Sequence, residues 1–344
     1  MSILHYAIVG NGAAGNRAAQ VLREGDGEAK ISLISAEQTH YLHRHRLAGF
    51  LARGGDLESL AVHPWTWYEE KGIHLRLNQP VVQVDPGNKQ LLLAHRERIE
   101  YDKLLICSGA RHRMPEYLSH FEKRIRRFSH ARDAILLRKR IDDIEHLTLI
   151  GGDCVGLQLL GALLPAGKRV TLIMDDYRFW PLELDEGARK RLSAALARTG
   201  LTVIRDDFVV DVQEKGEGLH IETERGERFD TDEAIVCSGL VPCLEFLSDS
   251  GIAMQRGILT NTRLETSAPD VWAAGEVAEI YHEEIKDYRC STGYANAVTQ
   301  GEIAARNMLG GDAGAALCEA GEVVVAGERF IAYGWKGLIL DAAG

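Results

Sequence analysis
The sequence predicts an α/β chain built of two successive βαβ domains, each with a small antiparallel β insertion, followed by a short C-terminal remnant. Three observations predict it. An apolar strand pattern at Leu4 to Val9 runs through a glycine-spaced turn into an alanine-rich helix. The same order returns at Leu147 to Ile150, Gly151 to Gly156 and Val155 to Leu164. Each copy then closes on an apolar run that ends in Ser-Gly, Leu104 to Cys107 with Ser108-Gly109 and Ala234 to Cys237 with Ser238-Gly239.

Taken in order, Ala13 to Arg23 reads as the first helix and Ile31 to Ser35 as the second strand. Helical stretches follow at Arg44 to Leu51 and Trp65 to Lys71, then β segments at Val81 to Val84, Gln90 to Ala94 and Arg98 to Glu100. In the second copy Val170 to Met174 is the second strand, Glu186 to Thr199 a helix, and Val209 to Val212 and Leu219 to Thr223 the insertion. The segment from Gly257 to Gly310 belongs to neither copy, and its strand Val271 to Ala274 is expected to return to the first domain.

Composition excludes several classes. With 344 residues and 45% hydrophobic content the chain can form two proper cores. A formal charge of −10 offers no basic surface for nucleic acid, and the Arg124 to Arg127 run is short. No apolar run is long enough for a membrane helix, and a strand pattern begins too soon for a signal peptide, so a cytoplasmic location is expected. The cysteines, Cys107, Cys154, Cys237, Cys243, Cys290 and Cys318, lack metal-ligand or framework spacing; reduced thiols and no metal are expected.

The first loop carries the clearest chemistry. Gly10 permits the tight strand-to-helix turn, Gly12 lets the backbone approach a diphosphate, and Gly15 lets the helix pack close to the strand. The helix N-terminus then faces the phosphates. The acid usually found at the end of the second strand is replaced by Ser35, with Glu37 two residues on, and either reaches a ribose hydroxyl. Two such loops in one chain indicate Rossmann-like domains for two nucleotides, or for one nucleotide and a relic site.

With these motifs the chain resembles the FAD-dependent pyridine nucleotide-disulfide oxidoreductase superfamily, in the branch of NADH:rubredoxin reductases and nitrite reductase flavin domains. The resemblance spans residues 4 to about 310 and rests on five ordered motifs. They are Gly10 to Gly15, Tyr101 to Ala110, Gly151 to Gly156, Val236 to Pro242 and Thr266 to Glu276. It implies an FAD-type domain at 1–112 and 240–310, a nicotinamide-type domain at 113–239, and a shortened interface segment at 311–344. It also implies that Arg44 lies near the FAD phosphates, that Val81 contacts adenine through its backbone, and that Arg113 sits beside the cofactor. The family's Gly-Asp pair for the ribitol chain is Gly275-Glu276 here, and Tyr294, near Ala297, matches the aromatic position against the flavin ring. The FAD set is therefore Gly10, Gly12, Ala14, Gly15, Ser35, Glu37, Arg44, Val81, Ser108, Gly109, Arg113, Gly275, Glu276, Tyr294 and Ala297. No side chain is assigned as an obligatory acid or base.

The second loop departs from the pattern. Gly151, Gly152 and Gly156 remain, and Gly239 ends the closing motif, but Asp153 stands where the second glycine belongs. Its carboxylate either opposes a diphosphate or turns away to cap the helix. Gln158 replaces the helix acid that the family aims at nicotinamide; Met174 replaces the ribose acid, with Asp175 next. Asp175 and Asp176 favour NADH over NADPH, since both oppose a 2′-phosphate.

The redox cysteines of the disulfide reductases are missing from Arg44 to Ala52. The expected function is thus an FAD oxidoreductase passing electrons between NADH and a rubredoxin, ferredoxin or other iron–sulfur protein, without a redox disulfide. The alternative is a flavin electron-transfer subunit of a larger complex with a degenerate nicotinamide site, the short tail leaving surface for a partner or oligomer. A binding module with a purely structural FAD ranks last.

Overall fold
A computed structural model describes residues 3–174, 182–183, 186–283, 286–315, 320–325, 328–333 and 338–339. It divides into two compact units, one of residues 1–42, 61–111 and 241–319, the other of 43–60, 112–240 and 320–344.

In the first unit β1 (His5–Val9) leads through the glycine turn into α1 (Ala13–Gly25) and back to β2 (Lys30–Ile34), followed by β3 (Ile73–Arg76) and β4 (Lys103–Ile106). β1 pairs in parallel with both β2 and β4, and β2 with β3. Ala7, Ile8, Leu104, Leu105 and Ile106 are fully buried, as the continuous apolar runs of a sheet covered on both faces require. An antiparallel insertion, Val81–Asp85, Gln90–Leu93 and Arg98–Glu100, precedes β4.

The second unit repeats this plan with β5 (His146–Ile150), α2 (Cys154–Leu163), β6 (Arg169–Met174), β7 (Thr202–Arg205) and β8 (Glu233–Val236). The parallel order is β7-β6-β5-β8, and its insertion is Val209–Lys215, Gly218–Thr223 and Arg228–Thr231. Ile150, Ile173, Val236 and the insertion's Val212 and Ile221 form one core.

The chain then returns to the first unit. There β9 (Val271–Ala273) pairs in parallel with β4, giving the order β9-β4-β1-β2-β3, and α3 (Tyr294–Met308) packs on α1. The approach is close: a Cβ on Gly301 would stand 2.2 Å from the Ala14 carbonyl oxygen. Arg17 and Glu302 pair across the same contact at 2.6 Å.

Some expectations change. Residues 43–60 group with the second unit and not with an unbroken first half. Arg44–Arg46 is one short 3-10 turn, and only Leu47–Arg53 is α-helical, with Leu47, Ala48 and Leu51 buried. Within that unit Arg44 Nη1 donates to the Ser129 carbonyl at 3.5 Å. β3, β7 and the strand Arg228–Thr231 are further elements; each has only four residues, and its pairing partner, not its own periodicity, defines it. In the tail, Ala320–Val325 pairs with Glu328–Tyr333 and Leu338–Ile339 with Leu182–Glu183.

Candidate functional site: two glycine loops
The two loops share one scaffold. Gly10 N–H donates to the Ile34 carbonyl at 2.8 Å, and Cys107 N–H to Val9 at 2.7 Å. In the second copy Gly151 N–H donates to Ile173 at 2.7 Å, and Cys237 N–H to Ile150 at 2.7 Å. Gly10 has φ +119° and Gly151 φ +96°, and a Cβ on either would meet the carbonyl oxygen of Cys107 at 2.0 Å or of Cys237 at 2.7 Å. Glycine is required at both for conformation and for space. A Cβ on Gly15 would meet the Gly10 carbonyl oxygen at 2.0 Å, and one on Gly156 the Cys237 Cβ at 3.1 Å.

The copies part at the helix N-cap. In the first, the N-cap is Gly12, with φ −89°, no side-chain cap and no acid in the first turn of α1. Its chain neighbours aside, no atom of the described residues lies within 4 Å of where its Cβ would be. The first-turn N–H groups at the positive end of the helix thus have no side-chain cap, which suits a diphosphate. Tyr68, fully buried, donates to Asn16 Oδ1 at 2.6 Å, and Asn16 Nδ2 donates to the Asn11 carbonyl at 3.1 Å, which holds the loop's shape. Burial pushes the Tyr68 hydroxyl up to about 12, so it remains a donor.

Of the other predicted residues of the first unit, Gly275 lies beside α1. Gly275, with φ +80°, has room for no more than van der Waals contact between an added Cβ and Ala14 Cβ at 3.4 Å or Ala297 Cβ at 3.8 Å. Its N–H donates to Gln300 Oε1 at 2.7 Å, which orients the turn carrying half-buried Glu276; sequence reasoning did not assign Gln300 this role. Ser35 Oγ accepts from Glu37 N–H at 3.0 Å, fixing Glu37 just past the end of β2. Ser108 donates to the Cys243 carbonyl at 2.9 Å, and Gly109 accepts from Cys243 N–H at 3.0 Å. Tyr294, 48% exposed, opens α3, whose N-cap Gly293 carries no side-chain cap. Val81 begins the insertion's first strand.

In the second unit the open question about Asp153 has an answer. It is the N-cap of α2 and is fully buried. Oδ1 accepts from Gly156 N–H at 2.8 Å, Oδ2 accepts from Gly239 N–H at 3.0 Å, and His112 Nε2 lies 3.3 Å from Oδ2. His112, itself 1% exposed, has Nδ1 3.0 Å from Ser129 Oγ. Nothing in the local sequence marked His112; only the fold brings it to the loop. Gln158 is half-buried on α2, and Met174 is buried at the end of β6. Arg113 is exposed and its N–H donates to the Gly239 carbonyl at 2.9 Å. Asp175 and Asp176 lie outside the described residues.

Among the described residues Cys107, Cys154, Cys237, Cys243 and Cys290 form no disulfide with one another. Burial raises the Cys107 and Cys237 thiols well above their ordinary value and Cys290 to about 11, so they are poor nucleophiles. No cluster of His, Cys, Asp or Glu among the described residues could hold a metal ion, and no described helix is long and apolar enough to cross a membrane.

Known proteins carry the same plan. The chain is 30% identical over 314 residues to the NADH-rubredoxin oxidoreductase of Clostridium acetobutylicum, covering 89% of this chain and 75% of that protein. It is 28% identical to the nitrite reductase [NAD(P)H] of Bacillus subtilis over 79% of this chain, but spans only 34% of that longer protein. A crystal structure of a ferredoxin reductase from Rhodopseudomonas palustris shares the fold, with a TM-score of 0.87 at 22% identity, covering 96% of this chain and 82% of the other. The pyridine nucleotide-disulphide oxidoreductase model matches residues 4–301. Doubled loops on doubled parallel sheets and a family match over most of the sequence lead to one conclusion: the chain belongs to the pyridine nucleotide-disulphide oxidoreductase family.

Proposed function
We propose that the chain is an FAD-dependent oxidoreductase that passes electrons between NADH and a small iron–sulfur or rubredoxin-type protein, without a redox disulfide. The observation that carries this reading is the uncapped α1 N-terminus at Gly12 on a loop where Gly10 and Gly15 leave no room for a Cβ. FAD, when bound, supplies the conversion between two-electron and one-electron transfer. The chain's own residues bind and orient. α1 receives the diphosphate, Glu37 the ribose, and Glu276, on the turn fixed by Gln300, the ribitol chain. Tyr294 and the N-terminus of α3 border the flavin ring. The second unit takes the nicotinamide nucleotide at Gly151 to Gly156, with Gln158 toward the amide. The named activities of the rubredoxin and ferredoxin reductase relatives support the acceptor class. A cytoplasmic location fits described cysteines that form no disulfide with one another.

Anaerobic addition of NADH to FAD-loaded protein tests this: the flavin absorbance bleaches, and a rubredoxin or ferredoxin then restores it. Flavin that stays oxidised under excess NADH and NADPH overturns the reading. One observation favours a second reading, an electron-transfer subunit within a larger complex: Asp153 already occupies the N-cap of α2. Under that reading NADH fails while a reduced iron–sulfur partner still bleaches the flavin.

A further inference from the structure
Asp153 stands where the first copy has Gly12, on a loop whose backbone bonds from Gly151 and Cys237 repeat those from Gly10 and Cys107. α1 carries no side-chain cap, whereas the cap donor of α2, Gly156 N–H, is taken by the Asp153 carboxylate at 2.8 Å. The second oxygen takes Gly239 N–H at 3.0 Å, and His112 Nε2 stands 3.3 Å from it with no water-exposed surface on either side chain. A buried carboxylate is tolerated when hydrogen bonds meet its charge, and here two backbone donors do so, Gly156 N–H and Gly239 N–H. The chain has thereby put its own anion where an open loop would admit a foreign one.

From this we infer that Asp153 is a built-in competitor of the dinucleotide diphosphate, and that it sets the second loop for weak, quickly released nicotinamide nucleotide. The inference rests on the reading that the second unit takes that nucleotide. Two unit charges about 4 Å apart at an effective dielectric of about 20 repel enough to lower affinity about a thousandfold. The helix dipole and the cap hydrogen bonds offset part of this, so relief of at least about tenfold is expected when the charge goes.

The test uses FAD-loaded protein and ADP-ribose, which carries the diphosphate but no reducible ring. Calorimetric titration compares the natural chain with Asp153→Gly and Asp153→Ser, flavin absorbance and melting temperature confirming that each is folded. Ser still accepts Gly156 N–H, so the comparison survives if the glycine variant fails to fold. Both variants are expected to bind ADP-ribose at least about tenfold tighter than the natural chain. Affinities within about threefold of the natural chain, or weaker, overturn the inference alone. Absence of ADP-ribose binding in all three proteins overturns both the inference and the nicotinamide reading of the second unit.

Discussion
Transplanting the difference between the two loops gives the sharpest perturbation: Gly12→Asp. Gly12 has φ −89° and ψ −165°, which any L-residue adopts, and, its chain neighbours aside, no atom of the described residues lies within 4 Å of its Cβ position. The substitution therefore costs the protein without ligand nothing in strain or space. Aspartate is a favoured N-cap, so the stability of that form should hold or rise by a few tenths of a kcal/mol. FAD binding should respond in the opposite sense. A carboxylate about 4 Å from a diphosphate charge costs at most about 4 kcal/mol at an effective dielectric of 20, and with the helix dipole and cap bond offsetting part of it the dissociation constant should rise at least about tenfold. Gly12→Asn adds nearly the same bulk without the charge and separates the two contributions. Reconstitution with FAD, followed by ultrafiltration and flavin absorbance, reads the affinities, and urea denaturation of the FAD-free proteins reads the stabilities. If Gly12→Asp binds FAD as tightly as Gly12→Asn, the electrostatic argument fails. If both bind it like the natural chain, the first loop does not hold the diphosphate.

Other consequences are as concrete. Gly15→Ala puts a methyl group 2.0 Å from the Gly10 carbonyl oxygen and should cost at least about 1–3 kcal/mol in urea denaturation, while Gly27→Ala, where the space is open, should change little. His146 is buried, and burial, its largest influence, holds its pKa below the ordinary histidine value, with Arg169 acting in the same direction and the Asp230 backbone against it. The folded state thus takes up the proton later than the unfolded chain. Stability should be full above the unfolded histidine pKa of about 6.5 and fall as the pH drops below it. His146→Gln should flatten that fall in denaturation midpoints measured between about pH 7 and 5.

Much of this architecture is legible in the residues themselves. Gly10, Gly12 and Gly15 after an apolar strand specify the first turn, because backbone angle and close approach are local demands that glycine alone meets. The repeat at Gly151 is readable for the same reason, as is the return of Val271–Ala273 to the first sheet. The orientation of Asp153 is not. Whether it faces a ligand or caps its helix depends on Gly239 N–H, which is 86 residues away, and on His112, which only the folded sheet brings to it. The grouping of 43–60 with the second unit is likewise tertiary, since burial of Leu47 and Leu51 says that the helix packs but not on what. Four-residue strands such as Ile73–Arg76 exist because Ile31–Ile34 offers a free edge, a fact no short window contains.

Two copies of one loop have parted: the first has no side-chain cap on its helix at Gly12, and the second is capped by the Asp153 carboxylate. The flavin content of purified protein tests it most directly, measured side by side for the natural chain, Gly12→Asp and Asp153→Ser. Stoichiometric FAD is expected in the natural chain and in Asp153→Ser, and loss of FAD in Gly12→Asp. Full flavin in Gly12→Asp together with loss in Asp153→Ser would contradict it.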